Sequence, residues 1–408
     1  MSALKRVGLW CLEWTLAVAY GWVVIGYALW LWLRGALQQS ITRDLPPDCL
    51  NDPNLGRHKY VKIEQNMKLH YVESGNHENP LVILVHGSPD FWFTWRKQIS
   101  FLNQEYWVVA VDLRGCGDSE GPYFRSHYRT AELANDIAQL ICLLNATSAH
   151  LICAGIGGQV GWYMAYNYPH LISKLVLIHS PHPYVVRQQL GQNWSHYYKA
   201  GYLYLLKLPV LPEIAATLND FGLIDKIMKP LLKMKVIEPE EIEAYKFVFS
   251  SRDTWTGPLH ILRALDVSPV DEEEPEPDVI TKPTLLIMGD ADPLLPMETA
   301  YRSAEFVERI TVRPAPGPGY MTHVSRAHQV NETIIKFLNE MPWKPLSPLE
   351  PTKNSSLVGR VMGASLAAVS NTVNKTSGAL EMTRVFPGGL VGIAQASFKA
   401  AESKLGLD

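Results

Sequence analysis

Five short runs of aliphatic and β-branched residues in the middle of the chain most constrain its fold. They read PLVILVHG, YWVVAVDLRG, AHLICAGIGG, SKLVLIHSP and KPTLLIMGD. They lack polar–apolar alternation and most are separated by helix-like segments, which is typical of parallel strands buried on both faces. Before them, KYVKIEQNMKLHYVESG alternates and predicts two antiparallel strands. The sequence therefore predicts an α/β fold with a mostly parallel sheet flanked by helices.

A long interval without strand signals separates the fourth and fifth runs. It contains the helical stretches NWSHYYKAGYLYLLKLP and LIDKIMKPLLKMK. So long an insertion between two strands predicts a helical lid over the carboxyl ends of the sheet, at about residues 184–278 of a domain that spans 58–347.

The N-terminal segment 14–33 carries no charged side chain, and its length matches the ~20 residues that a helix needs to cross a bilayer. Trp14, Trp30 and Trp32 lie near its ends, where aromatic rings favour the membrane interface. The alternative is a cleaved signal peptide, but the run is too long and has no small-residue cleavage site. We expect residues 1–39 to form a single-pass membrane anchor, followed by a linker at 40–57.

Charge and cysteine usage argue against other classes of partner. The net charge of −3 at pH 7 does not favour nucleic acid. The five cysteines are scattered and odd in number, with neither metal-ligand spacing nor a disulfide framework. From these patterns we expect no cofactor and no metal ion.

The C-terminal extension at 348–408 is rich in Ala, Ser, Gly and Val. Val358, Val369 and Leu380 are spaced by eleven residues, which places them on one face of a helix. Such a weakly charged helix suits a lipid surface. Its low helix propensity leaves two alternatives open, a disordered tail and a helix packed on the main domain.

Five motif blocks occur in order: HGSPDFWFTWR, DLRGCGDS, SPHP, TGPLHILR and PTLLIMGDAD. With them the chain, from about residue 58 to 343, resembles the epoxide-hydrolase branch of the α/β-hydrolases, including its membrane-anchored animal members. The resemblance implies a carboxylate nucleophile on a strand-to-helix turn and two lid tyrosines that bind the epoxide oxygen. It also implies a histidine, oriented by an aspartate, that activates water to hydrolyse the ester.

At the turn, the resemblance places the nucleophile at Gly155, which has no side chain. Gly157 and Gly158, which let the helix pack closely on the strand, are kept. Cys153 is an alternative nucleophile, but it lies two residues earlier on the strand, where a core thiol is expected.

The orienting acid corresponds to Asp292 in GDAD. The register of the last helix, QVNETIIKFL, places Tyr320 at the base position, and His323, one turn later, is the alternative base. A tyrosine with a pKa near ~10 is a poor base for water at neutral pH.

Among the lid tyrosines, Tyr202 is retained and Leu262 replaces the second. The backbone amides of Ser88 and Ile156 are expected to form the oxyanion hole. The pocket wall is expected to contain six residues of the first block: His86, Gly87, Pro89, Asp90, Trp92 and Trp95.

Three functions remain open at this point. The first is a membrane-anchored, catalytically inactive relative that binds an apolar, lipid-like ligand or a protein partner. The second is a residual hydrolase that acts on epoxides or lipid esters by a non-standard mechanism. The third is a scaffold at a membrane or lipid-droplet surface. The resemblance points to the endoplasmic reticulum as the location, with the lipid droplet as the alternative.

Overall fold

The computed structural model describes residues 3–35, 41, 43–192, 204–250, 253–266, 270, 274–290, 292, 295–317, 319 and 321–340. The strands are β1 (Arg57–Lys62), β2 (Lys68–Ser74), β3 (Leu81–Val85), β4 (Trp107–Val111), β5 (Ala149–Ala154), β6 (Ile172–Ile178), β7 (Thr284–Gly289) and β8 (Ile310–Ala315). The α-helices are α1 (Ala3–Leu33), α2 (Arg96–Leu102), α3 (Thr130–Leu143), α4 (Gly157–Asn167), α5 (Pro183–Gln192), α6 (Leu211–Lys233), α7 (Pro239–Val248), α8 (Thr256–Ala264), α9 (Met297–Ser303), α10 (Thr322–Ser325) and α11 (Ala327–Asn339). The predicted C-terminal repeat lies outside the described residues.

The eight strands form one sheet in the order β1-β2-β4-β3-β5-β6-β7-β8. β2 pairs antiparallel with β1 and β4, and the remaining neighbours are parallel. This confirms the predicted fold class, including the antiparallel pair that precedes the parallel strands. The carboxyl ends of β3, β5, β6 and β7 meet at one edge of the sheet, where ligand sites of such folds form.

The central strands are covered on both faces, which explains why they do not alternate. Leu84 of β3 belongs to the apolar cluster beneath α2, α11 and the lid, whereas its neighbour Ile83 belongs to the cluster beneath α3 and α4. Because successive side chains point to opposite faces, two covered faces need an unbroken apolar run.

The sequence analysis did not identify β8, Ile310–Ala315. β8 lies at the end of the sheet order and pairs with β7 alone. Its burial alternates, and Pro314 removes one backbone donor, which only an edge strand tolerates. Both features weaken the signal of a buried strand.

The described part of the predicted lid contains helices α5 to α8. α6 is kinked at three consecutive residues with positive φ, Asn219, Asp220 and Phe221. Arg43, in the linker after α1, donates to Asp220 Oδ1 at 2.8 Å and to Oδ2 at 2.7 Å. The segment between α1 and β1 thereby holds the kink of α6 in place.

Removing this ion pair should make stability depend less on pH. The hydrogen bond from Arg43 lowers the pKa of Asp220 to about 2. Because this pKa is lower in the folded state, ionised Asp220 stabilises the fold at pH values above its unfolded pKa of ~4. The stabilisation is lost as the pH falls towards 2. We expect Arg43→Met to cost about 2 kcal/mol of unfolding free energy at pH 7 and much less at pH 3. Urea unfolding at both pH values, with the exposed Arg57→Met as control, measures the difference.

Helix α1 includes a segment, Trp10–Leu33, of mean hydropathy 1.8 that is long and apolar enough to span a membrane. The contacts between α1 and the predicted lid include the packing of Ala17 against Tyr204 and an ion pair between Lys207 and Glu13. The N-terminal helix could therefore insert in a bilayer with the lid beside it.

Candidate active site

The turn between β5 and α4 has the backbone form of a nucleophile turn. Gly155 has φ +53°, a conformation that L side chains rarely adopt. A Cβ on Gly157 would lie 2.3 Å from the His86 carbonyl oxygen, and one on Gly158 would lie 2.2 Å from Ser180 Oγ. Both glycines are therefore required for the close approach of α4 to the sheet.

Among the residues that the structure describes, none occupies the position above Gly155. No atom among the described residues lies within 4 Å of the point where a Cβ would be placed. The turn therefore keeps its strained geometry and room for a side chain, but presents no nucleophilic atom.

The thiol of Cys153 does not replace the missing nucleophile. Cys153 is fully buried on β5, and a Cβ on Gly161 of α4 would lie 3.0 Å from its Sγ. Burial raises the pKa of this thiol far above its ordinary value, whereas nucleophilic attack needs the thiolate.

The loop after β3 lies against the turn. A Cβ on Gly87 would lie 3.3 Å from the Ala154 carbonyl oxygen and 3.8 Å from the Ile156 amide nitrogen. Ser88 Oγ donates to the Pro258 carbonyl oxygen at 2.8 Å, which ties the loop to α8. The predicted oxyanion-hole residues, Ser88 and Ile156, thus lie on adjoining segments.

Other residues of this loop have structural partners. His86 Nε2 accepts the Leu113 amide at 3.0 Å, and its Nδ1 lies 2.6 Å from the Gly87 carbonyl oxygen. Asp90 is buried, accepts from Tyr245 Oη at 2.9 Å, and has its pKa raised by desolvation. Such an acid positions its loop against α7.

Trp92 and Trp95, also predicted for the pocket wall, are buried within the apolar core. The Trp92 amide donates to Asp112 Oδ1 at 2.7 Å. The Trp95 ring lies 4.6 Å, centroid to centroid, from the imidazole of His323.

A histidine that the sequence analysis did not select completes a His–Asp pair at this edge. His179 follows β6 directly, and its Nε2 lies 2.9 Å from Asp292 Oδ2. Asp292 Oδ1 accepts the Leu295 amide at 2.8 Å. His179 has φ +53°, a left-handed conformation that is uncommon for residues other than Gly, although His, like Asn and Asp, adopts it more often than most. The predicted orienting acid, Asp292, therefore binds an imidazole, but this imidazole belongs to His179, which directly follows β6.

Gly319 provides the space for this imidazole. A Cβ on Gly319 would lie 1.7 Å from both Nδ1 and Cε1 of His179. Nδ1 is buried and has no hydrogen-bond partner within the described part of the chain. The ring thus lies over the backbone that immediately precedes the predicted base position, Tyr320.

The alternative base, His323, lies elsewhere. Its Nε2 is 2.7 Å from Thr94 Oγ1, and its Nδ1 is buried without a partner among described residues. Desolvation lowers its pKa to about 3, with a smaller contribution from Arg96. The structure does not bring His323 and Asp292 together, and His323 instead joins α10 to the turn before α2.

Tyr202 and Tyr320 lie outside the described residues. Leu262, on α8, is half-buried and packs against the apolar cluster beneath the lid. The next residue, Arg263, forms a bidentate ion pair with Glu213 of α6 at 2.6 and 3.0 Å, which fixes α8 to α6.

A small apolar cavity lies next to Pro89. Its volume of about 10 Å³ is close to that of one water molecule. It is lined by Pro89, Ile224, Ile227, Met228, Tyr245, Phe249 and Trp255.

The sequence contained one signal for His179. It is the first residue after a predicted buried strand, and the carboxyl ends of parallel strands carry the site residues of such sheets. The block match drew attention to the neighbouring residues SPHP, whereas the contact with Asp292 depends on two segments more than a hundred positions apart.

Comparisons with known proteins agree with this geometry. Residues 80–321 match a family described as having the α/β-hydrolase fold. The chain is 32% identical to human epoxide hydrolase 4 over 328 residues, which cover 76% of this chain and 88% of the relative. It is 29% identical to Xenopus tropicalis epoxide hydrolase 3 over 354 residues, covering 83% and 94%.

Solved structures give the same result. The crystal structure of Bacillus megaterium epoxide hydrolase in complex with an inhibitor matches with a TM-score of 0.63 and 27% identity. The match covers 69% of this chain and 100% of the bacterial one. The shared part is therefore a complete hydrolase domain.

Proposed function

Because the chain belongs to the α/β-hydrolase family and to its epoxide-hydrolase branch, we propose that it is a membrane-anchored member without covalent epoxide hydrolysis. The observation that carries the proposal is Gly155: the turn is intact, yet the residue at the nucleophile position has no side chain with which to form the ester. Catalytic groups that act as a unit lose nearly all activity when one is removed.

The remaining activity in this proposal is binding. Leu262 and the lining of the small cavity are apolar, which suits a lipid-like molecule. In this proposal the lid lies beside the bilayer of the endoplasmic reticulum, and an apolar ligand enters it from the membrane. The contacts between α1 and the lid support this arrangement. A protein partner at the same lid is the alternative occupant.

A second candidate is favoured by the His179–Asp292 pair. Water in the open space at Gly155 would attack an epoxide or a lipid ester directly, with its proton passing to the imidazole. The arrangement supports this less well, since the free Nδ1 of His179 lies buried against Gly319 and the ring would have to turn. The third candidate, a membrane or lipid-droplet scaffold, relies on the C-terminal extension.

The test is diol formation by the full chain in detergent, with styrene-type and fatty-acid epoxides. We expect no turnover above that of Asp292→Ala, together with an increase in melting temperature caused by the fatty-acid epoxide. Turnover that His179→Ala abolishes would establish the second candidate instead. If the chain shows neither turnover nor an increase in melting temperature, the scaffold function is the candidate that remains.

A further inference from the structure

Two histidines on the antiparallel end of the sheet, away from the turn at Gly155, face each other. In the β1–β2 register Tyr60 opposes His70, and His58 opposes Val72, so these side chains share one face. His58 Nδ1 lies 3.0 Å from His70 Nε2. His58 is exposed, whereas His70 is completely buried.

The partner of each ring's other nitrogen fixes its tautomer. His58 Nε2 lies 3.1 Å from the Leu50 carbonyl oxygen, which can only accept, so Nε2 carries the hydrogen. His70 Nδ1 lies 2.7 Å from Asp112 Oδ2.

Both oxygens of the Asp112 carboxylate accept hydrogen bonds. Asp112 Oδ1 accepts the Trp92 amide at 2.7 Å, and Oδ2 also accepts the Asp118 amide at 3.1 Å. Because both oxygens already accept backbone amides, and Oδ2 lies 2.7 Å from Nδ1 of His70, this ring nitrogen is the donor and carries the hydrogen.

It follows that the two nitrogens that face each other, His58 Nδ1 and His70 Nε2, both present lone pairs. Two acceptors at 3.0 Å repel unless a cation lies between them. A proton shared between the rings would involve only these two nitrogens. Here, however, a third potential ligand, the exposed carboxylate of Asp118, lies close to both, with all three ligand atoms within 4.8 Å of one another.

We propose that His58, His70 and Asp118 form a site for a divalent transition-metal ion, with Zn²⁺ as the best match. Two imidazoles and one carboxylate leave a fourth position for water on the exposed side. Asp112 and the Leu50 carbonyl oxygen orient the two rings, as second partners of metal-bound histidines do. The sequence analysis expected no metal because its search relied on cysteine spacing.

The ion would join β1, an edge strand, to the loop after β4. This loop also holds the segment before α2 through the bond between Asp112 and the Trp92 amide. The consequence of binding is stability rather than chemistry, because the site uses none of the groups around Gly155.

The test uses the full chain in detergent, with a tag free of histidine and after treatment with EDTA. Zn²⁺ titration by calorimetry should show one ion per chain, and saturating Zn²⁺ should raise the melting temperature by about 5 °C. His58→Ala should weaken binding at least ~100-fold, and Asp118→Asn about 10-fold. Circular dichroism checks that both variants fold.

The matched control is His328→Ala, which removes an exposed histidine 3.5 Å from Glu332 on the same helix. This variant should bind Zn²⁺ like the natural chain. The proposal is wrong if the natural chain binds no Zn²⁺, if His58→Ala binds equally well, or if only His328→Ala loses binding. In those cases the facing nitrogens share a proton.

Discussion

A variant with Gly155→Asp, Tyr320→His, Leu262→Tyr and His179→Asn should hydrolyse epoxides at least ~100-fold faster than the natural chain. The first three changes restore the nucleophile, base and second lid tyrosine that the family resemblance implies. His179→Asn releases Asp292 from its present partner so that it can orient the new imidazole. Asn is chosen because it tolerates the φ of +53° at this position.

The structure allows the new carboxylate. No described residue occupies the space at Gly155, so the cost of Asp there is backbone strain of about 1 kcal/mol. Its position before α4 offsets part of this cost, because a helix N-terminus stabilises a negative charge.

The measurement is the rate of diol formation from a styrene-type epoxide. A matched control carries Gly155→Ala with the other three changes, and it should remain inactive. A folded variant that forms no diol would show that more than the named groups has been lost, or that the register at Tyr320 is wrong.

Gly319→Ala should destabilise the domain by about 2 kcal/mol. The added Cβ would lie 1.7 Å from two atoms of the His179 ring, so the imidazole would have to leave its position and break its bond to Asp292. The ring is nearly buried, with 10% of its side chain exposed, so no alternative position is freely available.

A double-mutant cycle isolates this contact. In the presence of His179→Ala, Gly319→Ala should cost less than about 0.5 kcal/mol, because the obstructing ring is gone. Urea unfolding of the four proteins gives the coupling energy. Additive effects would mean that Gly319 is required by something other than His179.

The strands were predictable because burial on both faces produces a signal within each segment. PLVILVHG and KPTLLIMGD each became a fully buried strand, and the alternating pair became β1 and β2. β8 was not predictable in this way, since its pattern is that of a half-exposed edge strand that contains Pro314.

The site was only partly predictable, because its contacts join distant segments. The blocks indicated that Gly155 occupies the turn, and in the structure Gly155 lies between β5 and α4 with a positive φ. The bond between His179 and Asp292 and the facing rings of His58 and His70 depend on strand order and register. Neither is encoded in any local spacing.

The most direct test of the central claim is a search for the covalent ester. The full chain is mixed with excess fatty-acid epoxide, quenched rapidly and measured by intact-protein and peptide mass spectrometry. Exposed Cys11 and Cys142 can be alkylated, so treatment with hydroxylamine, which cleaves esters but not thioethers, separates the two products. The account predicts no hydroxylamine-sensitive adduct at any turnover time, whereas such an adduct on a carboxylate of the hydrolase domain would contradict it.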